Sequence, residues 1–143
     1  MKKQSINELV QNALLYPTKH QEIQLGRLKP SVAKSISNLI KSELKYSEIF
    51  IDTFKVRHAI AGHGDALKEA KRGQIAITID DFRFIPLAIK EPDKIEYGGK
   101  NRLGQDVLNF SKKIGNVLVV AVAVRVKSKG NIIVFESMYK KKG

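Results

Sequence analysis

The stretch Val117-Leu118-Val119-Val120-Ala121-Val122-Ala123-Val124 is the longest apolar run in the chain and decides its fold class. A helix needs roughly 20 apolar residues to cross a bilayer, so this much shorter run predicts a buried strand, at residues 117–127. Strands are also predicted at residues 107–112 and 131–140. Turn-like residues at 115–116 and 128–131 separate the three. They are therefore predicted to pair as an antiparallel meander.

The first third of the chain shows helical periodicity instead. Residues 4–15 and residues 30–46 each repeat apolar side chains at spacings of three and four, and Pro30 is a helix start signal. A weaker pattern at 18–28 suggests another short helix, and residues 49–56 suggest a short strand. Helices followed by strands predict an α+β fold, with N-terminal helices packed on a C-terminal antiparallel sheet of about four strands. We expect one domain over 1–143, with a helical part at 1–47 and the remainder at 48–143.

The middle of the chain mixes helix formers with breakers. Residues 57–72 predict two short helices interrupted at Gly62-His63-Gly64. Asp80-Asp81 predicts a capped turn or short helix, residues 97–101 a flexible loop, and the Lys140-Lys141-Lys142 end a mobile tail.

The charge of the chain points to a polyanionic partner. The formal net charge is +12, and residues 100–143 hold ten lysines and arginines against two acidic residues. Basic side chains placed on phosphates release condensed counterions, so nucleic acid is the leading candidate. The absence of cysteine excludes disulfides, thiolate metal sites and thiol nucleophiles. No secretion signal or membrane partner is expected.

Two of the three histidines, His58 and His63, lie five residues apart. Cleavage of RNA by internal attack needs a base for the 2′-hydroxyl proton and an acid for the leaving 5′-oxygen, and imidazole suits both. On an unbroken helix the two rings would diverge by about 140°, but the glycines beside His63 relax this constraint. The sequence does not assign which ring is base and which is acid. Structural roles for both, or a metal site with Asp65, are the alternatives.

The last predicted strand supplies a second group of polar residues. Strict alternation puts Ser137 and Tyr139 on the face of Ile133 and Phe135. Two hydroxyls next to a basic tail are suited to gripping a phosphate or orienting an imidazole. On the neighbouring strand, Arg125 and Lys127 are predicted on the face of Ala121 and Ala123, as candidates for neutralising the phosphate in the transition state.

Several short motifs in this order resemble the phage and toxin branch of the barnase, EndoU, colicin and RelE nuclease superfamily. They are Arg57-His58-x4-His63-Gly64, Gln74-x-Ala76-Ile77-Thr78, Asp81-Phe82-x2-Ile85-Pro86, Glu91-Pro92-Asp93-x-Ile95 and the closing Glu136-Ser137-Met138-Tyr139-Lys140. The resemblance implies that His58, His63, Ser137 and Tyr139 are catalytic and that Lys112 or Lys113 is a possible catalytic lysine. The predicted substrate-binding residues are Arg57, Arg72, Lys112, Lys113, Arg125 and Lys127.

The resemblance also implies an activity and a setting. It implies a metal-independent endoribonuclease toxin without cofactors, which cleaves RNA, with tRNA the expected substrate, and leaves a 2′,3′-cyclic phosphate. Such domains act in the bacterial cytoplasm as C-terminal parts of larger secreted or phage-borne effectors, and an acidic immunity protein neutralises them. From the residues alone, two other classes stay open. One is a non-catalytic nucleic-acid-binding module, and the other is a DNase or other metal-dependent hydrolase with ligands from Asp52, Asp65, Asp80 and Asp81.

Overall fold

The computed structural model describes residues 5–16, 20–41, 48–126 and 132–143. The helices are α1 (Ile6–Leu15), α2 (Pro30–Ile40), α3 (Thr53–His63), α4 (Ala66–Lys71), a 3-10 helix (Ile79–Phe84) and α5 (Ile85–Lys90). The strands are β1 (Glu22–Arg27), β2 (Glu48–Asp52), β3 (Lys94–Lys100), β4 (Asp106–Ile114), β5 (Val117–Val126) and β6 (Ile132–Lys142). None of the helices in these ranges is long and apolar enough to span a membrane.

The described strands form one sheet in the order β1-β2-β6-β5-β4-β3. The predicted meander is confirmed, because β4, β5 and β6 pair antiparallel in sequence order. A two-residue turn joins β4 to β5, and its Gly115 has a φ of 60°, a conformation that glycine adopts without strain. The second predicted turn, at 128–131, lies outside the described residues.

The helices cover one face of this sheet. Phe110 of β4, Ala121 and Ala123 of β5 and Phe135 of β6 are buried in a single core cluster with Ile36 of α2 and Phe82 of the 3-10 helix. Burial of these side chains supplies the main driving force for folding. The α+β class is therefore confirmed, with the core between the helical layer and one sheet face.

The sheet has six strands instead of about four, and it is mixed. β2 pairs parallel with β6, with Ile49 opposite Ile133 and Phe50 opposite Val134. The predicted helix at 18–28 is wrong, because residues 22–27 form β1 at one edge of the sheet. The predicted loop at 97–101 overlaps β3 at the other edge. Both edge strands contain glycine and a register shift, at Gly26 and at Gly98-Gly99, which weakened their alternating pattern.

The other predicted elements differ mainly in their bounds. The helix predicted at 30–46 ends at Ile40, and residues 42–47 lie outside the described ranges. The strand predicted at 49–56 ends at Asp52, whose side chain accepts a hydrogen bond from the Lys55 amide and so caps α3. The tail at 140–142 is part of β6, and Lys140 forms an ion pair of 2.8 Å with Asp81.

Candidate functional site

Helix α3 directs its two histidines to different sides. Thr53, Val56 and Ala59 are fully buried and define the inward stripe of the helix, and His63 continues that stripe four residues after Ala59. His58 lies on the opposite side and is exposed. The helix runs unbroken through Gly62 and ends at His63, so the imidazoles diverge by about 140°. The structure thus does not bring the predicted pair to one point.

His63 is held by a buried carboxylate. Its Nδ1 lies 3.0 Å from Oε2 of Glu69, whose side chain is completely buried, while the His63 side chain keeps 22% of its surface exposed. Arg72 donates from one Nη1 to Glu69 Oε1 and to the carbonyl oxygen of Gly62, at 2.8 Å in each case. One ring nitrogen of His63 is therefore occupied, and Nε2 is left for other chemistry.

The end of β6 lies beside this imidazole. The rings of His63 and Tyr139 have centroids 5.9 Å apart. Residues 75–77 link the two elements, because the Ile75 amide donates to the Lys140 carbonyl and the Ile77 amide donates to the His63 carbonyl, at 2.8 and 2.9 Å. His63 and Tyr139 are thus the two predicted catalytic residues that the structure brings together.

Tyr139 lies on the sheet face opposite the helices, contrary to the strict alternation of the sequence prediction. The register of β6 shifts between Phe135, which pairs with Ala123, and Ser137, which pairs with Val122. A bulge at Glu136 therefore inserts one residue and reverses the alternation beyond it. Phe135 stays in the core, whereas Ser137 and Tyr139 point to the other face.

Burial is the main reason why the pKa of Tyr139 is raised above that of an ordinary phenol, and the negative charge of Glu96 raises it further. The Tyr139 hydroxyl therefore keeps its proton at neutral pH. It is a hydrogen-bond donor and an acid, not a base.

We call the sheet face opposite the helices the open face. Because directly opposed residues in antiparallel strands share a face, it can be traced from the register. Polar or basic residues of β4 and β6 flank the apolar side chains of β5 there: Lys113 and Lys141 beside Leu118, Ser111 and Tyr139 beside Val120, and Asn109 and Ser137 beside Val122. The open face is therefore a mixed surface, with two lysines at one end.

Two pockets lie on the open face. One, of about 480 Å³, is lined by Tyr139, Lys141, Lys94, Asn109 and Ser111 among others. The second, of about 270 Å³, includes Lys55 and Glu136, which form an ion pair of 2.8 Å. The first pocket adjoins the His63–Tyr139 pair through Tyr139, and its two lysines are balanced by Asp93 and Glu96.

Most of the predicted phosphate-binding residues have other partners. Arg57 donates to the Ala13 carbonyl at 3.0 Å and lies over the Phe54 ring, so it ties α3 to α1. Lys112 forms an ion pair with Asp93. Arg125 does lie on the face of Ala121 and Ala123, but that is the core side.

Arg125 is only 4% exposed there and is paired with Asp106, which is 3% exposed. Neither this arginine nor Arg57 is placed to receive a substrate phosphate. Arg72 is committed to Glu69, and Lys127 lies outside the described residues. Of the predicted residues that the structure describes, Lys113 is the one on the open face.

The aspartates considered as metal ligands serve mainly as helix caps. Asp52 and Asp65 accept hydrogen bonds from the first amides of α3 and α4, and Asp81 forms a capping box with Thr78. In the described parts of the chain, no three histidine or carboxylate side chains are grouped as ligands for one metal ion.

Residues 29–143 match the family model of the phage-Barnase-EndoU-ColicinE5/D-RelE like nucleases, PBECR3. The chain belongs to this nuclease family. The matched region includes α3, α4 and β6, and hence His63, Glu69 and Tyr139. No curated protein and no solved structure matches the chain. The superfamily suggested by the sequence motifs is confirmed, and with it a nuclease function in general.

Glu69 is a residue of the candidate site that the sequence motifs of this nuclease did not indicate. The sequence of α4, ALKEAK, has no hydrophobic periodicity that would predict which side chain is buried. It therefore gives no sign that Glu69 is fully buried with charged partners. The sequence signal for it was a carboxylate six residues after His63 and three before Arg72. That spacing indicates a partner only if the chain reverses at Gly64-Asp65, as it does here.

Proposed function

We propose that this nuclease is an endoribonuclease that cleaves RNA without a metal ion, by attack of the 2′-hydroxyl on the adjacent phosphate. The observation that supports this most directly is the pairing of His63 with Tyr139 at the margin of the open face. An imidazole with one free nitrogen and a protonated phenol supply a base and an acid within reach of a single phosphodiester.

In the proposed mechanism, Nε2 of His63 removes the proton from the 2′-hydroxyl, and the 2′-oxygen attacks phosphorus. The bond from phosphorus to the 5′-oxygen breaks, and the Tyr139 hydroxyl donates its proton to that leaving oxygen. The products are a 2′,3′-cyclic phosphate and a free 5′-hydroxyl. Ser137, two residues from Tyr139 on the same face, is placed to donate a hydrogen bond to a phosphate oxygen.

The test is cleavage of purified RNA, including tRNA, by the full chain in EDTA, followed by analysis of the RNA ends. We expect cleavage that EDTA does not reduce, with cyclic phosphate and 5′-hydroxyl termini. A requirement for added metal, or 5′-phosphate termini, would reject the mechanism. Binding of RNA that stays intact would favour a non-catalytic module, and cleavage of DNA in preference to RNA would reject the substrate class.

The lysines of the open face provide a second test. Replacing Lys113 and Lys141 by glutamine should weaken RNA binding and lower the slope of log affinity against log salt by about one for each lysine that binds a phosphate. The matched control is Lys34→Gln with Lys90→Gln, which removes the same charge from exposed positions on the helices. Equal effects of both double variants would show that net charge acts without a localised surface.

We further propose that the nuclease acts on tRNA in the bacterial cytoplasm as the toxic part of a larger secreted or phage-borne effector. An acidic immunity protein is the partner that a basic catalytic surface would attract. Co-expression with a candidate acidic protein should restore growth of cells that express the nuclease. Persistent toxicity together with a stable complex would contradict inhibition by that partner.

A further inference from the structure

Helix α4 buries a carboxylate in place of an apolar side chain. The helix spans only Ala66–Lys71, and Glu69 is completely buried while Leu67, its largest apolar residue, is 79% exposed. Burial of an ionised group is unfavourable unless partners replace its hydration. The hydrophobic effect therefore does not explain why Glu69 lies where it does, and its partners become the relevant feature.

These partners all converge on the last turn of α3. Glu69 Oε2 contacts Nδ1 of His63 at 3.0 Å, and Arg72 bridges Glu69 Oε1 to the carbonyl oxygen of Gly62, the residue before His63. The Ile77 amide holds the His63 carbonyl. The ring of His63 and the backbone on both sides of it are thus fixed from three directions.

We propose that Glu69 is a positioning residue for His63. This inference rests on the proposed function. By accepting a hydrogen bond from Nδ1, Glu69 keeps the proton of the neutral imidazole on that nitrogen, so that the lone pair of Nε2 is available to take the 2′-hydroxyl proton. Its negative charge then stabilises the imidazolium that forms, and Glu69 itself gains no proton.

Arg72 has a supporting part in this arrangement. Its guanidinium neutralises the second oxygen of Glu69, which allows the carboxylate to stay ionised in a buried position. It also anchors α4 to the Gly62 carbonyl. Arg72 thus orients Glu69, and it affects the imidazole of His63 only through Glu69.

The decisive measurement is ¹⁵N NMR of the imidazole of His63 in the full chain. In the wild type we expect the neutral ring to carry its proton on Nδ1. Glu69→Gln should keep that tautomer, because the amide oxygen still accepts the hydrogen bond, whereas Glu69→Ala should shift the proton to Nε2. An unchanged tautomer in Glu69→Ala would overturn the proposal, since a carboxylate that merely ties two helices together need not set it.

Kinetics supply the second readout. Glu69→Gln should lower kcat by about 10- to 100-fold, with little change in KM. Glu91→Gln, an exposed glutamate on the helical side, is the matched control. An unchanged kcat in Glu69→Gln would also overturn the proposal.

The two readouts separate this inference from the proposed function. If the wild type cleaves no RNA, the nuclease mechanism fails, and the NMR tautomer still decides whether Glu69 sets the state of His63. If the Glu69 variants prove unstable, Arg72→Gln is an additional variant, because its amide can still donate to Glu69 Oε1 and it leaves the contact between Glu69 and His63 in place. It should retain the Nδ1 tautomer, and loss of that tautomer would assign the positioning to Arg72 instead.

Discussion

Replacement of His63 by glutamine should reduce the rate of RNA cleavage by about 10²- to 10⁴-fold, the usual contribution of a positioned acid–base group. Glutamine can still donate a hydrogen bond to Glu69, so the fold and RNA binding should survive while proton transfer is lost. The measurement is single-turnover cleavage of a defined RNA, with circular dichroism as the check on folding. Retention of more than about a tenth of the wild-type rate would contradict the role of His63.

Variants of the other two histidines test whether the loss of cleavage is specific to His63. His20→Gln is the matched control, because His20 is exposed and stacks on Phe54 at the start of α3, away from Tyr139. His58→Gln distinguishes two mechanisms. If His58→Gln loses as much cleavage rate as His63→Gln, the two imidazoles act as the acid–base pair and Tyr139 is not the acid. The Tyr139→Phe variant would then retain its cleavage rate.

The second large effect concerns stability. Asp106→Ala should lower the free energy of unfolding by about 3 kcal/mol, because it removes the buried carboxylate that pairs with the guanidinium of Arg125. Asp106 also accepts a hydrogen bond of 2.7 Å from the Tyr97 hydroxyl. Urea denaturation of the wild type and the variant measures the difference. Asp80→Ala, which removes an exposed aspartate, should change stability little.

A double variant tests the cause of that destabilisation. Replacing Asp106 by leucine and Arg125 by methionine together should recover much of the stability, because no uncompensated charge is left in the core. If the double variant loses as much stability as the two single variants together, loss of the ion pair is not the cause of the destabilisation. Such additivity would point to packing at each position instead.

The ion pair between Asp106 and Arg125 also makes the stability of the protein depend on pH. Desolvation alone would raise the pKa of Asp106, but hydrogen bonds from Tyr97 and Arg125 and the charge of Arg125 outweigh it, so the pKa lies below the ordinary value of 3.8. The contribution of Asp106 to stability is therefore complete above the unfolded-state pKa. It is lost as the pH falls through the lowered folded-state pKa.

Local patterns predicted the central features of the fold. The apolar run at residues 117–124 and its turn residues indicated three antiparallel strands, and the 3.6-residue period of the first segment indicated α1. The edge strands β1 and β3 were not predicted as strands, because glycines interrupt their short alternating patterns. The parallel pairing of β2 with β6 joins segments about 84 residues apart, counted from Ile49 to Ile133, and no local pattern encodes it.

For the candidate site, the sequence predicted residue types but not their geometry. His63 and Tyr139 were both singled out, but the pairing of His63 with His58 ignored that Val56 and Ala59 place the inward stripe of α3 on the side of His63. The bulge at Glu136 reversed the expected face of Tyr139. Arg125 was interpreted as a phosphate ligand because its buried counterion, Asp106, lies on another strand.

The position of β6 in the sheet has a consequence for the order of synthesis on the ribosome. β6 lies in the sheet between the pair β1-β2 and the three strands β5, β4 and β3, although it follows all of them in the chain. Until residues 132–142 have been translated, these two parts have no common strand, and Tyr139 does not yet exist. A nascent chain stalled before this point therefore holds His63 without its neighbour, and the candidate site is completed only when β6 is added.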